Sequence, residues 1–296
     1  MTNVLLIMNP KSRGGRGKRL WPSIFAELEK RGIAWRVWEW TTVEQTIETV
    51  RQAQDVDAVL AVGGDGTINT VINGTLHNEN PALRFGVLYA GTSPDFCRFH
   101  GLPTEIPAAV EALVGGKTRA VDVLELTRPG AEGAVSEFVG CSCNLGMGAD
   151  VAATANRLRP CLGDTLGTFC ALVRSLMRNK KYSYTINGEQ IVNCNHLLVS
   201  KMPYIASGIK INADLREDDG RYALCFLQNL TRLGWLGLIP RIYRGDSVGT
   251  VRILSESLTI LSATGAPIPV EYDGDPHGTL PIQIAIRPKR LQLIVP

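Results

Sequence analysis

The sequence predicts a chain of the α/β plus β class: an N-terminal doubly wound α/β domain over residues 1–120 and a C-terminal, mainly antiparallel β-sandwich domain over residues 121–282. Three observations carry this. Strand and helix signals alternate through the first third, the pattern of a parallel sheet covered on both faces. From about Arg119 the patterning turns β-rich, with helical interruptions near Thr165 to Met177 and Leu230 to Arg244. Polar or glycine-rich loops follow the predicted strands of the first third, at the carboxyl ends where doubly wound sheets bind their ligands.

Taken in order, Val4 to Met8 reads as a strand, Lys18 to Arg31 as a helix, Ile33 to Trp40 as a strand and Thr42 to Gln54 as a helix. Thr42 with Gln45 three residues on suggests a capping box. Val56 and Ala58 to Val62 form a short, nearly continuous apolar run, suited to a strand buried on both faces. Ile68, Val71, Ile72 and Leu76 then recur at helical spacing, and Arg84 to Tyr89 reads as a strand. The loops Asn9 to Gly17, Thr41-Thr42, Gly63 to Thr67 and Ala90 to Asp95 are therefore expected to converge on one crevice. In the second half the candidate strands are Val121 to Thr127, Phe138 to Cys143, Tyr182 to Ile186, Ile191 to Ser200, Tyr222 to Leu227, Val251 to Ile260 and Ile282 to Ile286. The tail, residues 283–296, is apolar enough to return and pack on the first domain. No internal repeat or low-complexity linker interrupts the chain.

Composition narrows the class. With 296 residues, 45% hydrophobic and 20% charged, the chain can bury a real core. A formal net charge of +3, without a block of like charges, gives no basis for nucleic-acid binding. Met1-Thr2-Asn3 leads directly into Val4-Leu5-Leu6-Ile7-Met8, with no basic region and too short an apolar stretch for a signal peptide. No run reaches the roughly 18 apolar residues of a membrane span. The expectation is a cytoplasmic protein, with peripheral contact at the inner membrane surface left open. Seven scattered cysteines without CxxC pairs suit a reducing compartment. Cys141 and Cys143 share one strand face beside apolar neighbours and read as buried structural residues. The four histidines show no ligand spacing.

The chemistry concentrates in Val62-Gly63-Gly64-Asp65-Gly66-Thr67-Ile68-Asn69, between a strand pattern and a helix pattern. Glycines there let the backbone approach a phosphate closely, and the helix N-terminus adds partial positive charge. Neither common phosphate loop fits. Ser12 and Arg19 spoil a GxxxxGKS/T match at Gly17-Lys18, and Asn69 stands at the third glycine of GxGxxG. Asp65 would repel bare phosphate, so its expected work is to hold a Mg²⁺ water shell or take part in proton transfer.

Further motifs follow in a specific order: Asn9-Pro10-Lys11-Ser12-Arg13-Gly14-Gly15, then the Gly63 to Thr67 run with Asn69 and Asn73-Gly74, then Gly91-Thr92-Ser93-Pro94-Asp95-Phe96 with Arg98. Asn144-Leu145-Gly146-Met147-Gly148-Ala149-Asp150, Asp218-Asp219-Gly220 and Tyr272-Asp273-Gly274-Asp275-Pro276 complete the series. Nearly end to end, the chain resembles the diacylglycerol kinase catalytic domain family, which includes bacterial soluble lipid kinases and is related to sphingosine kinases and, more distantly, NAD kinases. The resemblance implies ATP and Mg²⁺ held between the two domains and a lipid hydroxyl as phosphoryl acceptor. It implies that Asn9, Ser12, Arg13, Thr41, Gly64, Asp65, Gly66, Thr67 and Thr92 hold the nucleotide. Asp275 falls where the family has the glutamate of its Asp-Gly-Glu motif and would be the general base, with Asp273 as the second candidate. Asp122 matches an aspartate that organises the metal through water. Asp219, with the main-chain carbonyls of Arg216 and Arg221, matches a second, structural Mg²⁺ site, whereas the residues alone also read as a plain Asp-Gly hairpin turn.

Ser93-Pro94 replaces the family's Gly-Asn, Thr70 stands where a glutamate commonly follows Asn69, and Asp275 is one methylene shorter than glutamate. The expected function is thus an ATP-dependent kinase for a hydroxyl of diacylglycerol or a related lipid. The alternatives are a catalytically impaired nucleotide- and lipid-binding regulatory protein, or an NAD kinase. Trp235, Tyr243 and three arginines within Thr231 to Arg244 are compatible with an interfacial helix, and a core-facing helix with a solvated basic edge is the plainer reading. The sequence leaves the acceptor and the oligomeric state open, a homodimer included.

Overall fold

A computed structural model describes residues 3–131, 133–205, 209–246 and 248–296, so Met1-Thr2 of the amino-terminal stretch read above lies outside the described residues. They divide into two units, residues 3–123 with 288–296, and residues 124–205 with 209–287.

The first unit comprises β1 (Asn3–Met8), α1 (Trp21–Lys30), β2 (Ala34–Glu39), α2 (Val43–Arg51), β3 (Ala58–Gly63), α3 (Asp65–Leu76), β4 (Arg84–Tyr89), α4 (Asp95–His100) and α5 (Ile106–Gly115). Its strands are parallel in the order β2-β1-β3-β4, a doubly wound arrangement whose switch point lies between β1 and β3. All six residues of β3 are buried, as its continuous apolar run demands. Val4, Leu6 and Leu60 on one sheet face pack with Ile24 of α1 and Val110 of α5. On α3, Gly74 lets the helix lie close to α2, since a Cβ there would sit 2.5 Å from the Val50 Cβ. Leu293 near the carboxyl end pairs in parallel with Phe85 of β4.

Two details differ from the sequence expectation. The helix foreseen from Lys18 begins at Trp21, with Pro22 in its first turn, where a missing N–H costs nothing. Before it, Ser12–Leu20 is a 3₁₀ stretch interrupted by Arg13, Gly14 and Gly15, at φ 53°, 62° and 88°. The Thr42 cap forms, its Oγ1 accepting from the Gln45 N–H at 3.2 Å. The return half of the box does not, because Gln45 Oε1 accepts from the Thr41 hydroxyl at 2.7 Å.

The second unit holds β5 (Thr118–Gly130, entering from the first unit in sequence), β6 (Gly133–Val139), β7 (Ser142–Gly146), α6 (Met147–Arg178), β8 (Tyr182–Ile186) and β9 (Glu189–Ser200). It continues with β10 (Tyr204–Ile205), β11 (Ile209–Lys210), β12 (Tyr222–Gln228), α7 (Arg232–Arg244), β13 (Thr250–Leu254), β14 (Leu258–Ser262), β15 (Pro269–Tyr272), β16 (Asp275–Thr279) and β17 (Ile282–Ile294, from residue 288 on part of the first unit). The β-sandwich pairings are antiparallel: β16-β15-β7-β9-β8-β14-β17, with β12 between β9 and β13, and β5 beside β6. Its core is a period-two set that includes Cys143 and Leu145, Leu197 and Val199, and Leu224 and Phe226.

The single strand expected over Phe138 to Cys143 is instead the end of β6 and the start of β7, parted where the Gly140 N–H turns to Asp273. Likewise Val251 to Ile260 splits into β13 and β14 around Ser255 to Ser257. Helix α6 begins eighteen residues before the expected Thr165 and is broken at Gly163, whose φ 73° and ψ 173° leave the helical region. Among the described residues no helix is long and apolar enough to cross a membrane. Cys141 and Cys143 are buried, as expected.

Candidate active site

In the first unit the candidate phosphate site forms at the switch point. Asn9, just past β1, donates from Nδ2 to Thr67 Oγ1 at 2.8 Å, tying the β1 loop to the first turn of α3. Asn9 Oδ1 accepts from the Lys11 N–H at 2.9 Å, and the Asn9 N–H donates to the Val62 carbonyl. Helix α3 starts at Asp65 with no side-chain cap, so its first-turn N–H groups keep their capacity for an anion. Glycine is required around it. A Cβ on Gly63 would meet Thr67 Oγ1 at 2.3 Å, and one on Gly91 would meet the Gly64 Cα at 2.5 Å.

The hydroxyl of Ser12 is buried without a hydrogen-bond partner among the described residues, as is that of Tyr89. Burial first, then the charge of Asp65, pushes the Tyr89 phenol up, so it stays a neutral donor. Arg13 holds a left-handed backbone that costs a non-glycine residue about 1–2 kcal/mol, strain of the kind found at functional loops. A buried hydroxyl lacking a partner, glycines pressed together and an uncapped helix start are what a phosphate chain requires, so these residues fit a nucleotide. Gly66 lies in the same first turn as Asp65 and Thr67. Thr41 and Thr92 are exposed, and the Thr41 hydroxyl is engaged by Gln45. Ser93 donates to Asp95 Oδ2 at 3.0 Å, and Pro94 caps α4. Asp122, on β5 and 2% exposed, accepts the Lys289 N–H on Oδ1 at 2.8 Å.

In the second unit β15 and β16 form a hairpin with Tyr272 opposite Asp275. Its two turn residues, Asp273 at φ 50° and Gly274 at φ 98°, have the positive values of a type I′ turn, which Asp-Gly favours. Both Asp273 oxygens are engaged, Oδ2 by the Gly140 N–H at 3.0 Å and Oδ1 by the Ser142 N–H at 3.2 Å. Burial raises its pKa to about 7 against those two bonds. Asp273 thus anchors the turn. Asp275 is solvent-reachable, yet desolvation by its surroundings raises its pKa, while Arg159 and Asn156 of α6 pull it down.

Glu271 escaped the sequence reading. It is 4% exposed, accepts from the Gly274 N–H and from Asn144 Nδ2, each at 2.6 Å, and faces Asn144 across the β15–β7 ladder. Burial raises it to about 7, with those two donors holding it down. The available signal was one charged residue inside the apolar strand Pro269-Val270-Glu271-Tyr272.

The Asp218-Asp219-Gly220 segment departs from the metal expectation. The Arg216 carbonyl, Asp219 Oδ1 and the Arg221 carbonyl converge on Lys201 Nζ, at 2.7, 2.7 and 2.8 Å. Those are ammonium hydrogen-bond lengths, whereas Mg²⁺ needs oxygens at about 2.0–2.1 Å. The position these oxygens share is taken by the Lys201 ammonium, so the loop as built has no room for the ion. Burial alone would raise Asp219, but Lys201 and the N–H groups of Arg216 and Arg221 bring it down to about 2. Among the described residues no group of three His, Cys, Asp or Glu side chains is placed to hold a metal.

The second unit also contains an apolar cavity of ≈ 200 Å³ between α6, α7 and the β9–β12 face, lined by Leu172, Leu176, Leu198, Phe226, Trp235 and Ile239, with His196 among its polar walls. The Nδ1 of His196 is buried without a partner among the described residues, and burial lowers the ring to about 4, so it is neutral at pH 7. Sequence reasoning gave the histidines no part.

Compared with known proteins, residues 3–126 match the diacylglycerol kinase catalytic domain, and residues 141–295 match the YegS C-terminal NAD kinase beta sandwich-like domain. A diacylglycerol kinase of Staphylococcus carnosus is 25% identical, over 98% of this chain and 94% of its own. A diacylglycerol kinase structure from Bacillus anthracis superposes with TM-score 0.72 at 19% identity, over 99% of this chain and 97% of that one. Yeast NADH kinase, solved with NADH, superposes with TM-score 0.56 at 11% identity, over 99% of this chain and 82% of that one. At these identities the two structures speak for the fold.

Proposed function

The chain belongs to the diacylglycerol kinase catalytic domain family, a kinase family, and on that premise we propose that it transfers the γ-phosphoryl group of ATP to a hydroxyl of diacylglycerol or a related lipid. The kinase half of this reading rests on the switch-point site, and the lipid half on the apolar cavity, the single observation that separates a lipid acceptor from a soluble one. When bound, ATP with its Mg²⁺ supplies the phosphoryl group and neutralises charge on the phosphates.

The chain's own residues do the rest. Asn9, Ser12, Arg13, Gly64, Gly66, Thr67 and Thr92 hold the phosphates through hydroxyls, N–H groups and one guanidinium, with Thr41 at the rim. Asp65 and Asp122 would hold the water shell of the metal. Asp275 accepts the proton of the lipid hydroxyl, and it is preferred over Asp273 because both Asp273 oxygens are already hydrogen-bonded. Neutral His196 offers a hydrogen bond to an ester or hydroxyl of the lipid. Exposed Leu166, Phe169 and Met177 on α6, with Leu233 and Leu236 on α7, supply an apolar contact with a bilayer presenting that lipid.

One observation favours a regulatory protein instead: Pro94 offers no N–H, and the Ser93 hydroxyl is bonded to Asp95, where the family has Gly-Asn. Transfer of radiolabelled γ-phosphate from ATP to a total lipid extract, with NAD as a parallel acceptor, tests the proposal. A labelled lipid is expected. Label on NAD alone would move the assignment to NAD kinase, and nucleotide binding with no labelled acceptor would favour the regulatory reading.

A further inference from the structure

Lys201 follows the last residue of β9, and its N–H donates to the Cys141 carbonyl at 3.1 Å, which fixes where its side chain departs. The side chain is 1% exposed. A buried ammonium is unfavourable unless its three donors and its charge are all matched. Here they are: two main-chain carbonyls and one carboxylate oxygen surround Nζ, and Asp219, whose side chain is 3% exposed, supplies the single negative charge. Asp219 is held in turn. Oδ1 accepts the Arg221 N–H at 3.0 Å, and Oδ2 accepts the Arg216 N–H at 3.0 Å and Arg221 Nε at 3.1 Å. The loop 216–221 is thus wound around the ammonium.

The donor set, two carbonyls and a carboxylate, is one that a hard divalent cation would also accept. Mg²⁺ at this centre would have to contract the cage by about 0.7 Å per ligand relative to the ammonium distances and would face the Lys201 charge directly. With Arg221 already paired to Asp219, a divalent ion would add two positive charges beside a single carboxylate, whereas the ammonium adds one.

We propose that Lys201 is a tethered cation that does permanently what a divalent ion would do in this loop, so that the second unit fastens the start of β12 to the end of β9 without metal. The consequence reaches the apolar cavity, because Leu198 of β9 and Cys225, Phe226 and Leu227 of β12 line it. Occupancy of this loop is then indifferent to the divalent-ion concentration, whatever metal the phosphoryl-transfer site uses.

The test reads stability, not transfer, so it is independent of the proposed activity. Thermal unfolding of the full chain, without nucleotide, is compared in excess EDTA and in millimolar Mg²⁺ for the wild type, Asp219→Asn and Asp65→Asn. The expected result is no Mg²⁺-dependent rise in Tm that Asp219→Asn removes. In EDTA, Lys201→Ala is expected to lower Tm by roughly 6 °C or more, as removal of one partner of a buried ion pair does. A Mg²⁺-dependent rise that is abolished by Asp219→Asn and kept by Asp65→Asn would overturn the proposal, and so would an unchanged Tm in Lys201→Ala. Should Lys201→Ala give no folded protein, the wild-type and Asp219→Asn melts decide alone.

Discussion

Glu271 and Asp273 are buried carboxyl groups whose pKa values stand at about 7 because folding removes them from water. A group raised in the folded state stabilises it fully below the unfolded pKa, and that contribution is lost as pH rises through the folded pKa. Stability should therefore fall between about pH 4 and pH 7. For Glu271 alone the shift corresponds to about 3 kcal/mol, so Glu271→Gln should flatten much of the slope in denaturant titrations run across that window. A wild-type stability that rises over the same window would refute the assignment. Gly91 offers a second residue-scale prediction. Gly91→Ala drives a Cβ against the Gly64 backbone, and overpacking of that kind costs about 1–3 kcal/mol. Calorimetric titration with ATP should show weakened binding, since the loop beside the α3 N-terminus has to shift. At this scale the glycines of the Gly63 to Thr67 run were legible in the sequence because few residue types satisfy such backbone demands, and Asn9 was legible only through the motif it opens. Glu271, Tyr89, His196 and Lys201 were not, because their significance lies in partners far away in the chain.

The clamp between β1 and α3 is a property of two elements, and a double-mutant cycle isolates it. Asn9→Ala and Thr67→Val should couple by about 1 kcal/mol in unfolding free energy, the net contribution of a typical hydrogen bond. Additive effects would mean that the bond contributes nothing to the switch point. Helix α6 carries a different expectation. Leu166, Phe169, Val173 and Met177 recur at intervals of three to four residues and are 41–62% exposed, an apolar stripe that a water-facing helix has no reason to keep. Phe169→Asp should reduce flotation with anionic liposomes while leaving the unfolding midpoint within about 0.5 kcal/mol of wild type. Unaltered flotation would remove the stripe from the membrane argument. The helix that carries the stripe was legible from Thr165 to Met177, but its start at Met147 was not, since Gly146, Gly148, Pro160 and Gly163 interrupt the helical pattern before it. Strand ends failed at Gly140 and at Ser255 to Ser257 for a related reason: apolar patterning continues across a break that only long-range hydrogen bonds reveal.

For the whole molecule, the α/β plus β class was legible because alternation of periods three-to-four and two is a direct imprint of layer architecture. The return of the tail was legible in its apolar character, and residues 288–296 group with the first unit, five residues later than the start read from the sequence. The metal expectation at Asp219 shows the limit of motif transfer. The Arg216 and Arg221 carbonyls and Asp219 converge on one centre, and the group there is a lysine fifteen residues before the first of them. Phosphoryl transfer to a lipid hydroxyl is expected to depend on Asp275 as base, and kcat for a water-dispersed short-chain diacylglycerol in wild type and Asp275→Asn, with ATP affinity measured in parallel, decides it. A loss of about 10²–10⁴-fold in kcat with nucleotide affinity unchanged is expected. Turnover of Asp275→Asn within a few-fold of wild type would contradict it.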